Sequence, residues 1–122
     1  MREETNPAQA QTEQRVPVWL ALSELFLDTQ LETEDFERLA QTLAASPYSV
    51  AKIEEILRFE VTPVLQQNLM SIAGEWAGFD PDWLCEKLAP RIDRRPWIRF
   101  PVFLTIKGDW RKIRRRLQEF KT

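Results

Sequence analysis

The chain has 122 residues, of which 43% are hydrophobic and 30% charged, and these values are typical of a globular domain rather than a disordered segment. It contains no histidine, which excludes Ser-His-Asp and Cys-His catalysis and the common His-containing zinc sites. A single cysteine excludes an internal disulfide, and no stretch approaches the roughly 18 to 20 apolar residues that span a bilayer, so we expect a cytoplasmic protein without membrane contact.

Residues 1–14 are polar and predict a disordered tail without a secretory leader, so that one helical domain covers residues 15–122. The first predicted helix begins at Val16 and Pro17, because the missing N–H of a proline is harmless in a first helical turn. Trp19 and Phe26 lie among many apolar neighbours in this segment. This helix should therefore be largely buried.

Three further helices follow along the chain. The second begins at Thr33, a residue type that caps helix N-termini well, and ends before Pro47. The third begins after Ser49, and the fourth opens at Thr62 and Pro63, a capping residue followed by a proline. Each carries an apolar stripe at helical spacing, so each should pack one face against the body.

A fifth, short helix is predicted from Asp80 to Leu88, and three prolines beyond it break any long helix. Within residues 97–106, the run VFLTI suits either a short strand or a buried helical turn. The last helix is predicted to begin after Gly108.

Together these segments predict an all-α fold, a compact bundle of five to six short helices with room for a minor extended segment near residues 97–106. The core should contain the large apolar side chains that face inward on each helix. They are Trp19, Leu22, Phe26, Leu39, Ile53, Leu57, Leu65, Leu69, Trp83 and Leu117.

The sequence contains no pattern that predicts a reaction. The glycine-rich phosphate loops GxGxxG and GxxxxGK[ST] are absent, and Cys85 is typical of a small packed side chain rather than a nucleophile. Adjacent carboxylates such as Glu54 and Glu55 point about 100° apart on a helix, so they do not converge on one substrate. We therefore expect a protein that is not an enzyme and has no catalytic residues, cofactor or metal.

Charge is distributed unevenly along the chain. Residues 1–89 carry 16 acidic and 6 basic side chains, whereas residues 90–122 carry 3 acidic and 11 basic ones, although the net charge is only −2. Two interpretations remain open. Either the basic end folds back onto the acidic body, or it stays free as a surface for a partner.

The segment GEWAGFDPDW, residues 74–83, combines two glycines with three aromatic side chains. In one interpretation a glycine ends the preceding helix and the aromatic rings pack on the body. In the other they form an aromatic hot spot at an interface, where tryptophan is enriched. The second interpretation makes Trp76 a candidate anchor.

The acidic first part and the lack of a catalytic set predict a protein-binding module whose partner is a basic protein. A concrete form is an antitoxin or immunity-type inhibitor, because small acidic proteins of this kind neutralise a basic partner by charge complementarity. The residues expected to meet the partner are Glu34, Asp35, Glu37, Glu54, Glu55 and Trp76.

A nucleic-acid-associated protein is the alternative, because the last helix presents a row of arginines that suits a phosphate backbone. The pI near 5.3 argues against a dedicated nucleic-acid domain. The residues expected to contact phosphates are Arg111, Arg114, Arg115 and Arg116.

Three stretches also carry a resemblance: VWLALSELFLDTQL at 18–31, YSVAKIEEILRFEVTPVLQQNL at 48–69 and GEWAGFDPDWL at 74–84. They resemble a family of small bacterial helical proteins known as a domain of unknown function, over roughly residues 16–90. The resemblance implies a bacterial accessory protein and carries over no functional residue. The basic C-terminal third lies outside it.

Overall fold

A computed structural model describes residues 7–26, 31–65, 80–94 and 103–121. These ranges form an all-α fold without any strand, so the predicted fold class is confirmed. The five α-helices are α1 (Pro7–Ser23), α2 (Thr33–Ala44), α3 (Val50–Ile56), α4 (Pro81–Leu88) and α5 (Phe103–Phe120). Short 3₁₀ turns span Glu24–Phe26 and Ala89–Arg91, and a π-helical segment spans Leu57–Val61.

The first helix is longer than predicted. It begins at Pro7, so residues 7–14 are helical where we expected a disordered tail, while residues 1–6 lie outside the described part. This stretch is rich in Ala, Gln and Glu, which favour helix. Pro17 therefore lies inside α1 rather than in its first turn, and the carbonyl of Glu13 loses the N–H it would otherwise accept.

α2 begins at Thr33, and its N-cap lies one residue before the predicted cap. Glu32 occupies the N-cap position, and its backbone N–H donates to the Asp35 carboxylate at 2.8 Å. This carboxylate lies where the positive end of the helix dipole favours a negative charge. The apolar stripe of α2, formed by Leu39, Ala40 and Leu43, is buried.

α3 runs directly into the π-helical segment and then into helical residues 62–65, so the predicted break at Thr62 is wrong. Ser49 caps α3 as predicted and accepts the Lys52 N–H at 3.1 Å. At the other end Pro63 has no N–H to offer, and the Leu57 carbonyl accepts both the N–H and the hydroxyl of Thr62. The proline thus widens the helix by one residue instead of starting a new one.

α4 begins as predicted, because the Asp80 carboxylate accepts the Trp83 N–H at 2.9 Å. Trp83 itself is only partly buried, which corrects the predicted core, and Leu84 fills the interior position instead. Trp83 and Leu84 are consecutive residues of this eight-residue helix, so their side chains point about 100° apart, and the side chain of Leu84 points further into the core.

α5 begins at Phe103, so Gly108 lies inside the helix and residues 103–106 are helical rather than extended. The helix extends to Phe103 because one apolar stripe runs along it. The stripe consists of buried side chains at helical spacing: Ile106, Trp110, Ile113 and Leu117. The remaining residues of the expected extended segment, 97–102, lie outside the described part.

α1 lies at the centre of the packing and contacts α2, α4 and the π-helical segment. α5 packs mainly along α2 and also contacts α3. The predicted core residues Trp19, Leu22, Phe26, Leu39, Ile53, Leu57, Leu65 and Leu117 are buried, while Leu69 lies outside the described part. Among the described helices, none has the length and apolar character needed to cross a bilayer.

Candidate functional site

An ion pair lies buried between α1 and the π-helical segment. Arg15 donates from Nε to Glu60 Oε1 at 3.1 Å and from Nη2 to Glu60 Oε2 at 3.0 Å. Their side chains are only 3% and 4% exposed. This two-pronged geometry matches the planar guanidinium to the carboxylate and fixes both side chains.

Two more donors complete the environment of Glu60. Trp19 on α1 donates its indole N–H to Oε1 at 2.9 Å, and the backbone N–H of Asp93 donates to Oε2 at 3.2 Å. Each carboxylate oxygen therefore accepts two hydrogen bonds, which offsets the loss of water around a buried charge. Glu60 links α1, the π-helical segment and the turn that carries Asp93.

Asp93 extends this network to the surface. Its Oδ1 accepts from Arg15 Nη2 at 3.1 Å and from Lys52 Nζ at 2.7 Å, and half of its side chain (51%) is exposed. Its φ of 60° lies in the left-handed region, which Asp tolerates better than most residues. The backbone there turns so that the N–H faces Glu60 while the carboxylate faces Lys52.

Two groups of this network, Arg15 and Asp93, have shifted pKa values. Burial by itself lowers the pKa of the Arg15 guanidinium, but the hydrogen bonds and the charge of Glu60 outweigh it, so that pKa is raised. The hydrogen bond from Lys52, with a smaller contribution from Arg15, lowers the pKa of the Asp93 carboxyl. Near neutral pH the Arg15 guanidinium therefore stays protonated and the Asp93 carboxyl stays ionised.

Two buried polar groups near this region lack a hydrogen bond to any described residue: the Tyr48 hydroxyl and Arg91 Nε. The guanidinium of Arg15 lies over the Tyr48 ring, 4.9 Å from its centroid. Tyr48 thus covers the guanidinium by a cation–π contact through its ring face.

A half-open cleft lies on the outer side of this ion network. Its volume is about 230 Å³, and α3, the π-helical segment and the turn after the 3₁₀ turn Ala89–Arg91 supply its walls. Glu60 is the buried part of its lining, and the more accessible side chains carry both signs of charge beside one aromatic ring. The lining residues are Lys52, Glu55, Phe59, Glu60, Asp93 and Arg94.

The six residues predicted to meet a partner, five acidic residues and Trp76, lie in different environments. Glu34 is exposed, and Asp35 pairs with Arg38 at 3.3 Å. Glu55 lines the cleft, 3.7 Å from Lys52 Nζ. The remaining three are Glu37 and Glu54, which pair with α5, and Trp76, which lies outside the described residues.

The arginines predicted to contact phosphates divide into two pairs. Arg114 donates to Glu54 at 2.9 Å, and Arg116 makes a two-pronged contact with Glu37 at 2.7 and 3.0 Å. For these two arginines the basic end folds back onto the acidic body, the first of the two interpretations. Arg111 and Arg115 are exposed, one turn apart, and make no ion pair with a described residue.

Sequence reasoning missed the four charged residues of the ion network, although two of them carried a signal. Glu60 lies seven residues after Ile53 and three after Leu57, on the buried stripe of its helix. Arg15 lies four residues before Trp19, also on the buried side. A charged residue in phase with an apolar stripe predicts a buried partner. Asp93 and Lys52 carried no such signal.

These features describe a small all-α domain in which a buried arginine–glutamate pair is connected to the surface through Asp93. The chain belongs to the family described as a domain of unknown function, DUF7079, whose family model matches residues 13–122. The match extends past the resemblance over residues 16–90 and includes the basic helix α5. Among curated proteins and solved structures, none matches the chain.

Proposed function

We propose that this chain is a cytoplasmic protein-binding module of bacterial origin, without enzymatic activity, and that its partner is a basic protein. An antitoxin or immunity-type inhibitor is the specific form of this proposal. The observation that carries it is the half-open cleft whose two accessible carboxylates, Glu55 and Asp93, are positioned next to a buried ion network. A rigid, charged concavity of this kind is suited to recognising a charged group.

The chemistry of the cleft supports binding rather than proton transfer. Glu60 accepts four hydrogen bonds, and the pKa of the Asp93 carboxyl is lowered by Lys52. A general acid or base functions best with a pKa near the working pH, and a lowered carboxyl pKa moves away from it. In the described part of the chain, no group of three or more Cys, Asp or Glu side chains is arranged to hold a metal ion.

The size of the cleft supports a macromolecular partner rather than a cofactor. Pockets for drug-sized ligands and cofactors usually enclose about 300 to 1,000 Å³. The cleft has about 230 Å³ and opens to solvent, which suits a single side chain presented by another protein.

The charge distribution supports a basic partner. Residues 1–89 carry a large excess of carboxylates, and among the described residues α5 pairs with two of them, Glu37 and Glu54. Glu34 is exposed at the start of α2, where no described residue pairs with it. Such charges at the rim of an interface accelerate association by attracting the partner over a distance.

The test is affinity capture from a bacterial host that encodes the chain, followed by binding kinetics with the captured protein. The single variants Glu34→Lys and Glu55→Lys should each slow association at low salt and leave the melting temperature unchanged. Glu86→Lys, a charge reversal at another exposed position, on α4, is the matched control. Capture of no basic protein, or equal association rates for all three variants, would contradict the proposal.

The sequence adds one anchor to this experiment. If Trp76 packs into the partner, Trp76→Ala should speed dissociation by a factor that corresponds to about 2 kcal/mol, the usual threshold for a hot spot. An unchanged dissociation rate would remove Trp76 from the interface and leave the charge-based test standing.

Nucleic-acid binding is a second candidate, supported by the exposed pair Arg111 and Arg115 on α5. The affinity for mixed DNA or RNA should then fall steeply with salt, and Arg111→Ala should reduce the salt slope by about 0.7 to 0.9. Lys87→Ala, at an exposed position on α4, is the control. Absence of binding at about 50 mM salt would eliminate this candidate.

A further inference from the structure

We propose that the outward face of α5 binds the phosphate backbone of a nucleic acid, and that the bound strand passes directly over Gly108. Three exposed cations contact its phosphates: Arg111, Lys112 and Arg115. This assignment rests on the second candidate function, because it names the surface and the part of the nucleic acid that meet, and it does not depend on a basic protein partner. Two independent observations lead to it: cations without carboxylate partners, and a glycine that the packing of the chain does not require.

The first observation is that the cations of α5 divide between two sides of the helix. Arg114 and Arg116 pair with carboxylates of the body and are neutralised there. The cations of the outward face are exposed and form no ion pair with a described residue; they are Arg111, Lys112 and Arg115. Like charges three or four residues apart repel each other on a helix, and an anion lying along this face removes that repulsion.

The outward face is continuous over residues 108–115, because its members are spaced three and four positions apart. Over these residues the helix rises about 10 Å. The Lys112 ammonium lies 5.2 Å from the centroid of the Phe36 ring, which holds the side chain without neutralising its charge. Toward the C terminus the face ends at Glu119, whose carboxylate is paired with Arg116 at 2.6 Å. The face therefore carries a positive charge that the described carboxylates leave in place.

The second observation is Gly108, which is exposed in the interior of the 18-residue helix α5. Glycine inside a helix destabilises a fold relative to alanine, because the unfolded chain has more conformational freedom to lose. A Cβ added at Gly108 would meet nothing within 4 Å, so packing within the chain does not call for glycine at this position. Glycine is also the residue that lets a ligand approach the backbone most closely. The missing Cβ leaves room for a ligand that comes from outside the chain.

A phosphate backbone matches both observations together. It is an extended strand with a negative charge at every nucleotide, and proteins bind it through Arg, Lys and closely approached backbone groups. Arginine also donates two parallel hydrogen bonds to one phosphate. An acidic protein surface presents carboxylates at the ends of side chains, so it gains less from the missing Cβ than a charged strand does. The combination of free cations with an exposed glycine therefore favours nucleic acid.

The experiment uses the full chain and fluorescently labelled mixed-sequence DNA and RNA, single- and double-stranded, starting at about 50 mM salt. Three phosphate contacts predict that log K falls with log salt with a slope of about 2 to 3. Poly-glutamate is the comparison ligand, because it carries negative charge without a phosphate backbone. We expect it to bind more weakly than nucleic acid at equal charge concentration.

Variants at the glycine separate contact from stability. Gly108→Ala and Gly108→Gln should both raise the melting temperature, because alanine and glutamine favour helix more than glycine does. Both should nevertheless weaken nucleic-acid binding, and the longer glutamine should do so roughly tenfold, as expected for the loss of one hydrogen bond to a charged group. Ala51→Gln introduces the same side chain at an exposed position of α3 and should leave the affinity unchanged.

Three outcomes would overturn the assignment. If Arg111→Ala weakens binding but Gly108→Gln raises the melting temperature with unchanged affinity, nucleic-acid binding stands and only the role of the glycine fails. If no nucleic acid binds at about 50 mM salt, the second candidate function and the assignment fail together. If poly-glutamate binds as tightly as nucleic acid and is equally sensitive to Gly108→Gln, the face recognises an acidic protein and the phosphate backbone is the wrong ligand.

Discussion

In the described part of the molecule, Arg15 with Glu60 and Arg116 with Glu37 have nearly the same two-pronged geometry, through Nε and Nη2, in different surroundings. Arg15 contacts both oxygens of Glu60 at 3.0 and 3.1 Å, and Arg116 contacts both oxygens of Glu37 at 2.7 and 3.0 Å. The first pair is 3% and 4% exposed, the second 42% and 38%. The two pairs therefore differ in burial and not in contact distance.

The energetic consequences differ because water can replace a lost partner only at the surface. Removing one member of a buried pair leaves an unpaired charge in a poorly polarisable interior, whereas an exposed pair is screened and exchanges readily with solvent. The buried pair connects α1, the π-helical segment and the Asp93 turn. The exposed pair holds α5 against α2 where apolar packing already joins these helices.

The largest expected effect follows from removing the buried acceptor. Glu60→Leu should destabilise the fold by about 3 to 5 kcal/mol, because Arg15 then remains charged and buried without its two hydrogen bonds to Glu60. The measurement is urea unfolding followed by circular dichroism. Replacing both residues, as Arg15→Met with Glu60→Leu, should recover a large part of the loss. A single variant within about 1 kcal/mol of the unaltered chain would contradict the interpretation.

A smaller effect is expected from the indole donor to the same carboxylate. Trp19→Phe removes the N–H that Glu60 accepts and should cost about 1 to 3 kcal/mol beyond the loss of ring area. Trp110→Phe is the matched control, because its indole N–H donates to the partly exposed Glu54 at 3.2 Å. Equal losses for the two tryptophans would mean that burial of the acceptor has no influence.

The exposed pair should contribute least to stability in low salt and nothing measurable in high salt. Arg116→Met and Glu37→Gln should each lower the free energy of unfolding only slightly, because water screens this exposed pair. A double-mutant cycle across this pair should give a coupling that shrinks between low and high salt. A coupling as large as that of Arg15 with Glu60 would remove the distinction between the two regions.

The smallest effect concerns pH. Salt bridges from Arg116 and Lys52 lower the pKa of the Glu37 and Asp93 carboxyls below their ordinary values. A lowered folded-state pKa contributes stability that is present above the ordinary pKa and is lost as the pH falls through the lowered value. The unfolding midpoint in urea should therefore decline below about pH 5. Glu37→Gln should flatten that decline slightly, and an unchanged profile would contradict it.

How much of this could be predicted from the sequence depends on the residue type. Trp19, Leu57 and Leu117 are buried as predicted, because apolar side chains at helical spacing have one favourable place to go. Helix starts were less predictable. Thr62 and Pro63 have the pattern of a new helix start. The helix nevertheless continues through them, because the π-helical segment before them accommodates the missing N–H of Pro63.

Most of the candidate site could not be predicted from the sequence, because its residues lie far apart in the chain. The sequence predicted a role for Glu55, but the cleft around it depends on Asp93, which is 38 residues further along the chain. The sequence showed that an acidic first part and a basic last part could attract each other. Which arginine meets which glutamate depends on the packing of α5 along α2 and α3.

The sequence by itself determined the all-α class, most of the apolar core and the absence of histidine chemistry, since composition and periodicity depend only on local order along the chain. Only the tertiary structure decided that Arg15 and Glu60 are buried together, that Arg114 and Arg116 are neutralised, and that Glu55 and Asp93 face one cleft. The physical reason is that the energy of a charge depends on its surroundings, and those surroundings are assembled from segments far apart in the chain.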